Sequence, residues 1–184
     1  MNDSEKDKLI SMVLASYLQK ATTLIGVPRK VGGNQFRHGW ATTGVLIDHK
    51  FIEPIKLKAA LLHDIYEDWP EFDKNEIIYL DSDGFAVHHL IWELTRKPEE
   101  TKEEYLDRLT KHGSKNARML KVADRITNLL ELNPIVFPLE KIRQKIAETR
   151  KWVLPMAKEV SPSMTREMED IIERIENYLN NKKS

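Results

Sequence analysis

Residues 54–70 read Pro-Ile-Lys-Leu-Lys-Ala-Ala-Leu-Leu-His-Asp-Ile-Tyr-Glu-Asp-Trp-Pro. Proline has its φ preset for a first helical position, and Leu57, Ala60, Leu61 and Ile65 follow at helical spacing. Trp69-Pro70 ends the run, because a residue before proline avoids the helical region. The same punctuation extends outward in both directions. Upstream, Ser4 with Asp7 resembles a capping box, and Leu9, Ile10, Val13, Leu14, Tyr17, Leu18 and Ala21 predict one helix closed by Gly26 and Pro28. A connector from Pro28 to Asn34 leads into a helix from about Phe36 to His49. Downstream, a short helix is expected from Asp73 to Leu80, a turn at Asp81–Gly84, and helices from Phe85 to Thr95 and from Thr101 to Gly113. Long helices are expected over Ser114–Leu132 and Pro138–Val160, split by Asn133-Pro134, with a last one from Pro162 into the frayed tail Asn180-Asn-Lys-Lys-Ser184. No stretch alternates long enough to make a strand, so the expected fold class is all-α.

The chain has 184 residues, which fits a single domain over 1–184. Lys plus Arg and Asp plus Glu both number 29, so the basic footprint of a duplex-binding protein is missing and no nucleic-acid partner is expected. With no cysteine there is no disulfide framework, no thiolate zinc site and no cysteine nucleophile, so any metal must sit on histidines and carboxylates. No segment reaches the roughly 20 apolar residues of a membrane span, and the N-terminus has no apolar signal core. The cytoplasm is the expected compartment, with no membrane partner.

Polar residues break the apolar faces at three places. In Leu61-Leu-His-Asp-Ile-Tyr-Glu-Asp68, a continuous helix puts His63 over Glu67 and Asp64 over Asp68, just after the apolar run Ala59–Leu62. A histidine and three carboxylates leaving a buried helix are costly to desolvate unless a divalent cation compensates, although many His-Asp dipeptides are plain surface pairs. In Leu120–Leu130, Asp124 and Asn128 share a face among Val122, Ala123, Ile126 and Leu129; Asp124 can instead simply pair with Arg125 or with a neighbouring helix. Arg37-His38 opens a helix, where a lone histidine is more often structural.

The order H … HD … D, with about 25 and then 60 residues between, resembles the HD-domain signature. HDxxED followed by KxADRxxN narrows the resemblance to the hydrolase domain of the RelA/SpoT family, which removes the 3′-pyrophosphate from ppGpp and pppGpp. Arg29-Lys30 also stands before His38 at the family's spacing, and Ile146-Ala-Glu-Thr149 with Pro155 and Ala157 resembles its late helix. The resemblance covers residues 10–160, leaving 161–184 as a C-terminal helix and tail. It implies a single-domain helical HD-type fold with His38, His63, Asp64 and Asp124 as ligands of a divalent metal, manganese in the family. It implies Glu67 and Asp68 as the pair that activates the attacking water, Asn128 near the substrate, and Arg29 and Lys30 on the nucleotide. Oxygen and imidazole donors suit that metal, which acidifies bound water and polarises a phosphoryl oxygen.

The chain departs from the family where Glu-Pro-Tyr is replaced by Gly33-Asn34-Gln35, where Val31 follows Arg-Lys, and where Val153 stands for a tyrosine. These positions bear on base selectivity. Arg96, Lys97 and Lys121 are further candidates for substrate phosphates, while Lys102, Lys111, Lys115 and Arg118 read as solvated surface. His88-His89 point about 100° apart on a helix and read as structural or surface, His49 and His112 as solvated, and the four tryptophans as packing residues. The expected function is a small phosphohydrolase of guanosine alarmones with a nucleotide substrate; a homo-oligomer is compatible with the sequence. Alternatives are a nucleoside 5′-monophosphatase or a dNTP triphosphohydrolase of the HD type, and a helical binding module without turnover, against which the complete ligand set argues.

Overall fold

The computed structural model describes residues 1–12 and 14–181. Val13 of the first apolar run and the tail residues 182–184 lie outside the described residues. Helices α1 (Asp3–Ser11) and α2 (Ala15–Ala21) are followed by a 3₁₀ turn (Thr22–Gly26), α3 (Gln35–Asp48), α4 (Pro54–Leu62), α5 (Ile65–Asp68), α6 (Asn75–Ile78) and α7 (Gly84–Leu94). Then come α8 (Lys102–His112), α9 (Lys115–Leu130), α10 (Leu139–Glu148), a π-helical segment (Thr149–Val153), α11 (Leu154–Val160) and α12 (Pro162–Asn181). Among the described residues the only β pairing is an isolated bridge between Pro28 and Asn34, so the fold is all-α. No described helix is long and apolar enough to cross a membrane.

The first helix differs from expectation. Asn2 caps it in a reciprocal box with Glu5, in place of Ser4 and Asp7, and it stops at Met12, whose backbone is extended. Its nine residues carry five charged side chains, and the extended backbone at Met12 separates it from α2. The helix from Pro54 also breaks early. It ends at Leu62, His63 and Asp64 form a turn, and α5 restarts at Ile65, so the chain reaches Trp69 in two pieces.

One hydrophobic core runs through the molecule, with α3 against α4 and α9, α7 against α4 and α6, and α11 against α9 and α12. Helix α4 is central: Leu57 through Leu62 are all buried, including Lys58. The Lys58 ammonium leaves the core to reach Asp81 Oδ2 at 2.7 Å and Asp83 Oδ2 at 2.8 Å, in the turn before α7. A buried charge is tolerable only when paired in this way. Contact between α3 and α4 depends on Gly39, since a Cβ there would lie 2.5 Å from the Leu61 carbonyl oxygen. That approach brings His38 beside His63, ring centroids 5.2 Å apart.

Candidate metal centre and flanking cavities

Three elements converge on one point: His38 from the first turns of α3, His63 and Asp64 from the turn after α4, and Asp124 from the middle of α9. Each of His38, His63 and Asp124 offers a donor atom within 4.8 Å of the others, and all three residues are buried. Asp64 completes the ring, with Oδ2 3.3 Å from His63 Nε2 and 3.8 Å from His38 Nε2. Asp124 Oδ1 is 3.0 Å from His38 Nε2 and 3.7 Å from His63 Nε2. Both His63 and Asp64 keep helical backbone angles in this turn, so they follow one another around the end of α4 at the point where α3 and α9 bring His38 and Asp124.

The donor set fits a divalent cation. His63 Nδ1 lies 2.8 Å from the Ala60 carbonyl oxygen; donating to it leaves Nε2 as the free donor atom, and that buried Nε2 has no hydrogen-bond partner. Such a backbone tie is how ligating histidines are oriented. Burial disfavours a charge on His63, but Asp64 and Asp124 outweigh it and hold the imidazole pKa well above its usual range. Asp124 is held well below the carboxylate range despite its burial, with the Lys121 ammonium and the two histidines as the cause. Two carboxylates at this spacing call for positive charge between them.

The neighbouring groups sort themselves differently from a single helical stripe. Arg125 does not pair with Asp124; it turns to Glu148 at 2.7 Å and to Thr149 Oγ1 at 3.0 Å. Lys121 Nζ takes the Asp124 Oδ2 atom at 2.8 Å and lies over the Tyr105 ring. Glu67, which helical spacing groups with His63, is exposed and accepts instead from the Arg96 backbone N–H at 2.7 Å. Asp68 is half-buried, and burial together with the Asp64 charge pushes its carboxyl up to about 6, against the pull of a hydrogen bond from Gln35.

A polar chain links these groups. Asn128 donates from Nδ2 to both the backbone oxygen and Oδ1 of Asp124, and its Oδ1 accepts from Arg29 Nη2 at 3.0 Å. Arg29 also donates to Glu131 at 2.7 Å and to Gln35 Oε1 at 2.5 Å, and Gln35 Nε2 donates to Asp68 Oδ2 at 2.5 Å. The loop that makes this possible turns at Gly32 and Gly33, with φ of 90° and 72°, a region that glycine enters without strain.

Two cavities flank the chain. One of about 490 Å³ is lined by Arg29, Lys30 and Asn128 together with Lys102, Lys145 and Phe137. The other, about 450 Å³, is lined by Glu67, Asp68, Lys74, Trp92, Arg96 and Lys97. Lys74 and Lys97 both lie over the Trp92 ring, 3.9 and 3.3 Å from its centroid. Burial and like charges push Lys97 down to about 8 and Lys145 down to about 7.

Several residues of this site carried no role in the sequence. Lys145 and Lys102 face the first cavity rather than solvent alone, and Gln35 stood out only as part of the departure Gly33-Asn34-Gln35, with no partner assigned to it. His49 is not simply solvated: it contacts Ser163 Oγ at 2.8 Å and Glu167 at 2.5 Å. His88 is held by the Tyr66 hydroxyl at 2.7 Å and stacks on Trp92, while His112 is exposed.

The fold has a solved counterpart. The chain superposes on a metazoan ortholog of SpoT with a TM-score of 0.76 at 23% identity, covering 88% of this chain and 94% of that one. That protein hydrolyses ppGpp and plays a role in starvation responses. No family model matches the chain, and no curated protein sequence matches it.

Proposed function

We propose that the protein is a metal-dependent phosphohydrolase that removes the 3′-pyrophosphate from ppGpp, pppGpp or a closely related nucleotide. The observation that carries this reading is the meeting of two imidazoles and two carboxylates at one buried point, with Asp68 and a basic cavity beside it, in a fold shared with a ppGpp hydrolase. His38, His63, Asp64 and Asp124 hold the ion, and the imidazoles favour manganese over magnesium. When bound, such an ion lowers the pKa of water and polarises a phosphoryl oxygen.

The chain's own residues divide the remaining work. Asp68, with a carboxyl near 6, accepts the proton of the attacking water at neutral pH. The water oxygen joins the phosphorus nearest the ribose and the bond to the 3′ oxygen breaks. Pyrophosphate departs, and the 3′ oxygen takes up a proton. Arg29, Lys30 and Asn128 hold the nucleotide in the first cavity, while Arg96 and Lys97 face the phosphates from the second. Lys121 fixes Asp124 rather than touching substrate, since its ammonium is already paired.

The test is to incubate manganese-loaded protein with ppGpp, pppGpp, nucleoside 5′-monophosphates and deoxynucleoside triphosphates, resolving products by mass. Release of pyrophosphate and a nucleoside 5′-diphosphate from ppGpp is the expected result. An intact ppGpp alongside a cleaved monophosphate or triphosphate would transfer the site to another HD-type reaction.

A further inference from the structure

We propose that Gln35 is a positioning residue, its amide anchoring on Arg29 of the basic cavity with one end and aiming the Asp68 carboxylate with the other. The inference rests on reading the site as a phosphohydrolase centre. Gln35 is the first residue of α3, and its backbone N–H donates to Val27 O at 3.0 Å, which closes the loop that carries Arg29. His38 stands three residues later on the same helix face, so one turn of α3 sets both the carboxylate and a candidate ligand.

The chemistry of the amide is what the position needs. Its oxygen accepts from the Arg29 guanidinium and its nitrogen donates to Asp68, both at 2.5 Å. No charged side chain can serve both neighbours: a carboxylate repels Asp68 and an ammonium repels Arg29. The two ends are also unequal. Arg29 keeps Asn128 and Glu131 as acceptors without Gln35, whereas among the described residues no other donor reaches the Asp68 side chain. Losing Gln35 therefore releases Asp68 and leaves Arg29 anchored. Asp64, Glu67 and His63 face the same carboxylate, and Lys74, Arg96 and Lys97 line its cavity, so a freed Asp68 has several alternative directions in which to turn.

Gln35→Leu, Gln35→Glu and Gln35→Lys, manganese-loaded and with metal content checked, test this on ppGpp. Gln35→Leu is expected to lower kcat by about tenfold or more with KM changed less than about threefold. Gln35→Glu is expected to lose more kcat than Gln35→Leu although it keeps a partner for Arg29. Gln35→Lys is expected to lose less kcat than Gln35→Leu and to raise KM, because it holds Asp68 and repels Arg29. A rise in KM alone in Gln35→Leu, or equal losses in all three, overturns the proposal. If the parent leaves ppGpp intact, the functional reading fails. Gln35 is then tested by the ¹³C titration of the Asp68 carboxyl, which must move upward in Gln35→Leu; an unmoved titration overturns the positioning role.

Discussion

Lys121 Nζ lies 2.8 Å from Asp124 Oδ2, one turn along the same helix, while Asp124 Oδ1 faces His38 Nε2 at 3.0 Å. One oxygen is thus committed to a fixed cation and the other to the candidate metal point. Lys121→Met leaves a buried carboxylate without its partner and is expected to cost about 2–3 kcal/mol in metal-free protein. Saturating manganese should recover part of that loss, because it returns positive charge to the same carboxylate. Thermal melts with and without the ion check this; an equal loss in both states would detach Lys121 from the metal point.

Asp124→Ala removes a ligand and is expected to weaken manganese binding by more than the about 10–100-fold that outer-shell changes cost. Calorimetry on the folded variant measures it. Unaltered affinity would show that the ion binds elsewhere.

Of the acidic pair, Asp68 is expected to matter more than Glu67. Asp68 is half-buried and bonded to Gln35, while Glu67 is exposed and bonded to the backbone at Arg96. Asp68→Asn should lower kcat by about two to four orders of magnitude, and Glu67→Gln by less. Steady-state kinetics with both variants decides, and the reverse order would make Glu67 the proton acceptor.

Lys145 sits at the wall of the larger basic cavity, and burial with the Arg125 and Lys102 charges holds it at about 7 instead of 10.5. Between those two values the unfolded chain binds a proton that the folded chain does not, so this residue's contribution to stability improves as pH rises. Its full cost is present below about pH 7 and has gone near 10.5. Lys145→Met is therefore expected to raise the Tm most below neutrality and progressively less toward alkaline pH. A gain independent of pH would mean that the lysine titrates normally.

Gly39→Ala places a methyl group 2.5 Å from the Leu61 carbonyl oxygen, a contact that α3 and α4 relieve only by moving apart. The expected result is a loss of about 2–4 kcal/mol together with weaker metal binding, since His38 and His63 ride on the two helices. Chemical denaturation and metal titration of the same variant check the pairing of the two effects.

Much of this architecture was legible in the chain itself. The Thr101–Glu104 capping box, Pro54 at a helix start and the Asn133-Pro134 break work through local backbone chemistry, and each acts where it stands in the sequence. The order of His38, His63-Asp64 and Asp124 pointed to these residues only through its resemblance to a known signature, since each polar break taken alone also had a plain structural reading; the fold brings their side chains to one point. What only the tertiary structure decided is how those residues are oriented. Asp64 faces the two histidines and Glu67 accepts from the Arg96 backbone, although helical spacing had grouped His63 with Glu67. Arg125 abandons its neighbour Asp124 for Glu148, and Gln35 finds Arg29 and Asp68 across a loop and a second helix. Periodicity places a side chain on a face. Its partner is chosen by the groups that packing brings within hydrogen-bond reach, and these come from elements far apart in the chain.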